Sequence, residues 1–466
     1  MQTRSRKLRT DLSVCTTDGA LYSFMVGVGE MFFIPFALAL GFSEVEAGLC
    51  FSIPFLLGAT LQLVAPWGID ALRSPRRWVI LCATVQSCSF IPLIIAAWIG
   101  SIPMPLLFAT LAVYWGTALG AGPAWTAWVG ALIPSDIRPR YFGIRTRVCQ
   151  LATLGGLSAA GVLLWLGRSA DAAKTELTTA LNSSAADASR SALQGHADHA
   201  VAWELLAFAA MFILAALGRG ISTRFLWLQS EPPPGNWNQT TISPLRLPLR
   251  PLAGPERNLL LFMLLFQIAL QISSPFVGSY LIGHLHYSNT MYFVAVALMF
   301  GCKSIASAAF GAMAASHGAR RVLVIGSVLL AIHGALLAIP AGVWTIMLLM
   351  SGAGIAWAAY ELATFLLILD VSRPTDRTSL MTSYLFLNAG ALLGGSLLGG
   401  WILRTMGSHE YAYTVLFLTS SIARAGMLPL LKRVPEGRLG SRPAAARSSN
   451  GAQEDGAMTW TREGGA

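Results

Sequence analysis

Long apolar runs alternate with short polar turns along almost the whole chain. A bilayer crossing takes about 20 mostly apolar residues in a helix. Twelve runs meet that length, and the pattern predicts spans at 19–42, 46–66, 78–99, 105–132, 142–166, 200–219, 258–283, 289–314, 321–340, 343–369, 379–403 and 412–431. Proline interrupts some of them, as at Pro54, Pro92 and Pro275. Such breaks are tolerated in a membrane where neighbouring helices satisfy the freed backbone groups. Three stretches depart from the pattern. Residues 168–199 are rich in Ala, Ser and Asp, and residues 220–257 contain SEPPPGNWNQ. Residues 432–466 are Arg, Gly, Ser and Ala with few aromatics, a composition expected to stay disordered.

Composition excludes a soluble reading. Charged residues make up 12% of the chain, about half the share of an ordinary soluble domain. The net charge of +10 does not point to nucleic acid, because the basic residues are spread over short loops instead of one face. They are 28 Arg and 4 Lys in a chain rich in Ala and Gly, as a GC-rich bacterial genome would encode. The six cysteines (Cys15, Cys50, Cys82, Cys88, Cys149 and Cys302) show no CxxC spacing and read as small packing residues. The first apolar run is too long for a cleavable signal.

Charge also orients the spans. With the N-terminus inside, inner segments hold 26 basic residues and outer segments hold 4, namely Arg168, Lys174, Arg190 and Arg404. The positive-inside rule therefore places both termini in the cytoplasm. The expected organisation is a cytoplasmic segment at 1–18, a six-helix bundle at 19–219 with an external loop at 168–199, a cytoplasmic linker at 220–257, a second bundle at 258–431 and a cytoplasmic tail at 432–466.

The two bundles repeat each other. GAGPAWTAWVG at 120–130 returns as GAGIAWAAYEL at 352–362, 232 positions later. IPF at 34–36 matches SPF at 274–276, and Leu154-Gly155-Gly156 matches Leu393-Gly394-Gly395. A duplicated unit with an even number of spans gives parallel repeats, related by an axis along the membrane normal. The recurring glycines let helices approach closely where lipid offers no hydrophobic drive to pack.

Twelve spans, a 6+6 repeat and a long inner linker resemble the major facilitator superfamily of secondary transporters over about residues 15–431. The loop motif of that family, Gly-x-x-x-Asp-Arg-x-Gly-x-Arg, is matched in part by GIDALRSPRR from Gly68. Gly68, Arg73 and Arg77 agree, while Leu72 stands at the Asp position and Pro75 at the second Gly. The second copy, GAMAASHGAR, keeps Gly311, Gly318 and Arg320, with Ala315 at the Asp position. PSDIRPRYFGIR and LDVSRPTDR look like the family's turns after spans 4 and 10. Span 5 lacks the Gly-Pro signature of the antiporters. The resemblance implies an all-α integral membrane fold, with twelve transmembrane helices in two six-helix bundles related by a pseudo-twofold axis. It also implies that spans 1, 4, 7 and 10 line a central cavity.

Charges within spans are costly, about 2.5–3.5 kcal/mol each on insertion scales, and so mark candidate sites. Glu30 lies on a face of small and polar residues in span 1 and suits proton coupling. Lys303 is the only lysine within a span and needs an acidic partner or an anionic substrate; Glu30 and Glu361 are the candidates. Glu361 replaces Val129 of the first copy, so only one half carries this charge. Trp125, Trp128, Trp357 and Tyr360 are related by the repeat and could stack on substrate, close a gate or simply pack. Gln267, Gln271 and Ser274 form a polar stripe on span 7. Arg73, Arg76, Arg77, Asp370, Arg373 and Arg377 could pair across helices as a cytoplasmic gate. His333 and Arg424 fall on supporting spans, where packing or snorkelling is expected. His196 and His199 stand in a polar loop without further metal ligands. No metal and no cofactor is expected.

The expectation is a non-enzymatic, multi-pass transporter of a small organic solute in a bacterial inner membrane. A site with both signs of charge and several tryptophans fits an organic anion, a zwitterion or a sugar-like solute. Proton coupling, alternating access, a monomer and partners limited to solute, protons and lipid, with no nucleic acid, complete the expectation. An uncoupled facilitator or exporter, and a non-transporting receptor or assembly factor on the same fold, are the alternatives.

Overall fold

A computed structural model describes residues 2–184, 203–231, 256–339, 342–372, 377–407 and 410–436. Among these residues twelve helices are long and apolar enough to cross a membrane. Spans 1 to 6 run Arg6–Ala39, Ser52–Leu72, Pro75–Ile99, Met104–Leu132, Arg138–Ala172 and Trp203–Leu228. Spans 7 to 12 run Arg257–His284, Thr290–His317, Ala319–Leu337, Val343–Val371, Leu380–Met406 and Tyr411–Arg433. The end of the molecule that holds Arg6, Arg76 and Leu228 is called the basic end below.

Three boundaries differ from the sequence pattern. The first helix starts at Gln2, so residues 2–18 continue span 1 and do not form a separate segment. No charged residue stands between Asp11 and Asp18, and both carboxylates find partners inside the bundle, which removes the penalty that would end the helix there. Span 6 runs on to Leu228, past the expected linker boundary. The helix of span 5 continues to Ser184, into the expected external loop. The rest of that loop, including His196 and His199, lies outside the described residues, as do 232–255 of the linker and 437–466 of the tail.

Spans 1 and 7 are broken at the repeated Pro-Phe. In span 1 an α-helix ends at Val28, a 3₁₀ turn covers Glu30–Phe32 and a second helix begins at Phe33. In span 7 the α-helix ends at Gln271 and a 3₁₀ turn covers Ser274–Phe276. Proline offers no N–H and its ring clashes with the carbonyl four residues back. The Leu270 carbonyl at this break accepts from Ser273 N at 3.3 Å, from Ser274 Oγ at 2.8 Å and from Arg424 Nη2 at 3.3 Å. Arg424 also donates to Leu330 O at 2.8 Å and Ser273 Oγ at 2.6 Å. It is buried and does not snorkel; its fork holds the broken turn of span 7 to spans 9 and 12.

The repeated glycine pairs pack by their second member. A Cβ on Gly156 would collide with Phe24 O of span 1, and one on Gly395 would lie 2.5 Å from Ile268 O of span 7. Gly155 and Gly394 face open space. Gly354 of the GAGIAWAAYEL copy seats span 10 on span 8, where an added Cβ would collide with Met299 O, whereas its counterpart Gly122 meets Leu385 of the other half 3.5 Å away.

The halves meet most closely towards the basic end. A Cβ on Gly143 of span 5 would lie 2.8 Å from both Gly311 Cα and Ser307 O of span 8. Ser304 Oγ donates to Arg147 O across the same seam at 3.1 Å. Phe142 and Phe365 cross it with ring centroids 4.7 Å apart. One buried apolar cluster there draws Cys15, Val129, Ile133 and Phe142 from the first half and Leu259, Ala363, Leu366 and Met381 from the second.

Candidate functional site

A cavity of about 400 Å³ lies between the halves, directly above this apolar layer. Ligand sites commonly fall in the range of about 300–1,000 Å³. Spans 1, 3, 4, 5 and 6 contribute most of its wall, and span 10 closes it from the second half through Glu361, Leu362 and Phe365. At a rise of about 1.5 Å per residue, Trp125, Arg145 and Phe365 stand about 10 Å from the basic ends of their helices. The floor is aromatic and the polar groups stand above it.

The first half supplies a hydrogen-bonded network to this wall. Ser222 Oγ donates to Asp18 Oδ1 at 2.6 Å, and Arg219 Nη1 donates to Ser222 Oγ at 2.9 Å. Arg219 Nε reaches Gln86 Oε1 at 2.8 Å, and its guanidinium lies 4.8 Å from the Tyr22 ring centroid. Asp18 and Arg219 are 4% and 5% exposed, so each charge depends on these partners instead of water. Arg145 is less deeply placed. Its Nε donates to Cys15 O at 3.2 Å and its guanidinium covers Trp125 at 4.6 Å. Gly19 makes this possible, since any Cβ there would collide with the Arg145 guanidinium.

The second half supplies an ion pair. Lys303 Nζ lies 2.9 Å from one oxygen of Glu361 and 2.8 Å from the other. The lysine side chain is 11% exposed and the glutamate 43%. The pair therefore joins spans 8 and 10 with its acidic end turned into the cavity.

Asp18, Arg145 and Arg219 escaped the sequence reading. Asp18 falls one residue before the expected start of span 1, and the two arginines fall near helix ends, where basic residues orient the spans. A signal was present: Cys15, Asp18 and Tyr22 recur at i, i+3 and i+7, and Arg145, Cys149 and Gly156 at i, i+4 and i+11, each set on one helix face.

Other expected residues are placed differently. Glu30 sits at the break of span 1, where Tyr114 donates to its Oε2 at 2.5 Å, among Phe33, Phe90 and Phe212; it is not in the cavity wall. Trp128 is fully buried among Ile69, Val79 and Leu226, and its Nε1 donates to Ser230 O at 3.0 Å. It fastens the end of span 6 and does not line this cavity. Tyr360 packs on Phe266 at 5.2 Å and on Trp357 at 6.1 Å. Gln267 and Gln271 are half-buried; Gln271 Cβ packs where Gly395 brings span 11 against span 7.

Of the gate residues, Arg76 turns towards its own half. It donates to Trp227 O and lies 4.0 Å from the Glu231 carboxylate. Ser74 Oγ donates to the same carboxylate, and Ser230 N donates to Asp11 at 2.9 Å. These contacts clamp the start of the linker to the first bundle. Arg73 and Arg77 are exposed, and Asp370 is half-buried at the end of span 10. Arg373 lies outside the described residues. Arg377 begins the helix of span 11, and its side chain is not described.

Residues 259–460 match the sequence model of the Major Facilitator Superfamily. Over this stretch, somewhat less than half of the chain, the sequence is similar to that superfamily. Solved structures of transporters share its fold at low identity. The human organic anion transporter MFSD10 is 14% identical, with a TM-score of 0.64 over 91% of this chain and 99% of that one. FucP in the outward conformation is 13% identical, with a TM-score of 0.66 over 91% and 98%. The proton:xylose symporter XylE, solved with 6-bromo-6-deoxy-D-glucose, is 13% identical, with a TM-score of 0.64 over 93% and 97%. A search of curated proteins finds no significant relative. The match and the twelve membrane-length helices together support a multi-pass membrane transporter. The cavity lies where the two six-helix halves face each other.

Proposed function

We propose that the protein is a proton-coupled secondary transporter of a small organic solute, working by alternating access in a bacterial inner membrane with both termini in the cytoplasm. The observation that carries this reading is the Lys303–Glu361 pair, whose glutamate opens into a cavity walled by both halves. A carboxylate so placed can exchange its proton with the cavity. Once protonated, it no longer holds Lys303, and solute and proton then act on the same pair. The apolar layer of Phe142 and Phe365 closes the basic end, so the described state takes solute from the opposite end. The neighbours supply precedent for the class: XylE is named a proton:xylose symporter and MFSD10 an organic anion transporter.

Glu30, expected from the sequence to carry the proton, stands outside the cavity wall on Tyr114, and we assign the role to Glu361. Internal pH in proteoliposomes, followed while a panel of metabolites is added, tests the assignment. A solute that moves protons in the wild type should not do so in Glu361→Gln, although solute exchange persists. Coupling that survives in Glu361→Gln and is lost in Glu30→Gln returns the role to Glu30. A wild type that moves no solute in the panel, with or without a proton gradient, counts against transport itself.

A further inference from the structure

Pairing off the charges of the cavity leaves one over. Glu361 is answered by Lys303 at 2.8 Å. Asp18 and Arg219 answer each other through Ser222, with Oγ contacts of 2.6 and 2.9 Å. Among the described residues Arg145 forms no direct ion pair: its Nε reaches the Cys15 carbonyl, its guanidinium covers Trp125, and it shares the more distant charge of Asp18 with Arg219, so two guanidinium groups face one carboxylate. Its terminal nitrogens are left beside the cavity, which it lines. Beneath it lie the rings of Trp125, Phe142 and Phe365, with Phe365 6.2 Å from Trp125 and 4.7 Å from Phe142 between centroids.

We propose that the cavity binds a small organic anion, its oxyanion on the Arg145 guanidinium and its apolar body on the Trp125–Phe365 floor. This deepens the transport reading and rests on it. A guanidinium already held against a ring keeps its fork pre-organised for a carboxylate or phosphate oxygen pair, and it cannot lose its charge as a lysine can. A charge of one sign in a cleft with low-dielectric walls attracts solutes of the other sign. Gly19 belongs to the same device, because only a residue without a Cβ leaves room for the arginine. A sugar would leave the surplus charge unanswered.

The sign of the cavity can be read without knowing the solute. Ala118 lines it, is partly exposed and carries only a methyl group. An Ala118→Cys variant in vesicles is treated with an anionic sulfonatoethyl or a cationic trimethylammonium-ethyl thiosulfonate of similar size. Cys149, which lines the same cavity, is replaced by serine in every variant, and labelling at position 118 is quantified by mass spectrometry of its peptide. Rates are normalised to a free thiol. The expected result is a preference of about tenfold for the anionic reagent, reduced to near unity by Arg145→Gln and retained by Arg145→Lys. Equal rates, or a cationic preference, in the Ala118→Cys variant alone overturn the proposal whatever the arginine variants do. Failure of both reagents to react overturns it as well, since the cavity would then be closed to solutes. Proton-linked solute movement is measured with the wild type in parallel. Movement without an anionic preference removes the anion and leaves the transporter, whereas an anionic preference without movement leaves the anion site and removes the transporter.

Discussion

The Lys303–Glu361 pair is asymmetric, and the asymmetry predicts unequal costs for removing its two halves. At 2.8 Å and an effective dielectric of about 20, the attraction is about 6 kcal/mol, most of it offset by desolvating the lysine. Glu361→Gln leaves a side chain that is 11% exposed with an unanswered charge, a defect of about 3–5 kcal/mol. Lys303→Met leaves a carboxylate that is 43% exposed and can be hydrated, at about 1 kcal/mol. The double variant removes both charges and should recover most of the loss. Thermal midpoints of the detergent-purified proteins at one scan rate check the order. With about 2 °C per kcal/mol, Glu361→Gln should fall by about 6 °C or more, Lys303→Met by about 2 °C, and the double variant should lie close to Lys303→Met. Equal losses in the two single variants, or a double variant worse than both, would refute the argument from unequal burial.

Three further outcomes follow from the packing and the caps. Gly156→Ala should cost several kcal/mol or prevent assembly, because its Cβ would strike Phe24 O, while Gly155→Ala faces open space and should be neutral or gain up to about 1 kcal/mol from helix propensity; folded yield and thermal midpoint compare them. Gly19→Ala should displace the Arg145 guanidinium, so that the anionic labelling preference falls about as far as in Arg145→Gln while the midpoint changes less than in Gly156→Ala. Outside the spans, the Ser43 backbone N–H and hydroxyl, each 2.8 Å from Oε2, hold the Glu46 carboxylate below its ordinary pKa. A lowered folded value means that the cap is fully present above the ordinary Glu pKa of about 4.3 and is lost as pH falls through the folded one. Amide-exchange protection at residues 46 and 47 should therefore drop in acid, and Ser43→Ala should abolish that step.

The linear pattern was enough for the number of spans, the six-plus-six repeat and the family resemblance, because each depends on local quantities: apolar run length, glycine spacing and short motifs. It also singled out Lys303 and Glu361 as charges that a membrane makes costly, though it left Glu30 and Glu361 as equal candidates to answer the lysine. Distance in three dimensions decided between them, and it sent Glu30 to Tyr114 instead. Helix ends were less legible. Asp11 and Asp18 look like signs of water, and only Ser230 and Ser222, more than two hundred positions away, show why a helix can carry them inward. The same holds for Arg145 and Arg219, which resemble orienting charges at the ends of their spans. Trp125 and Trp128 differ by three positions in one motif, yet one forms part of the aromatic floor of the cavity and the other locks the end of span 6. Burial, pairing and access are properties of which faces meet, and those faces are chosen by the packing of all twelve helices together.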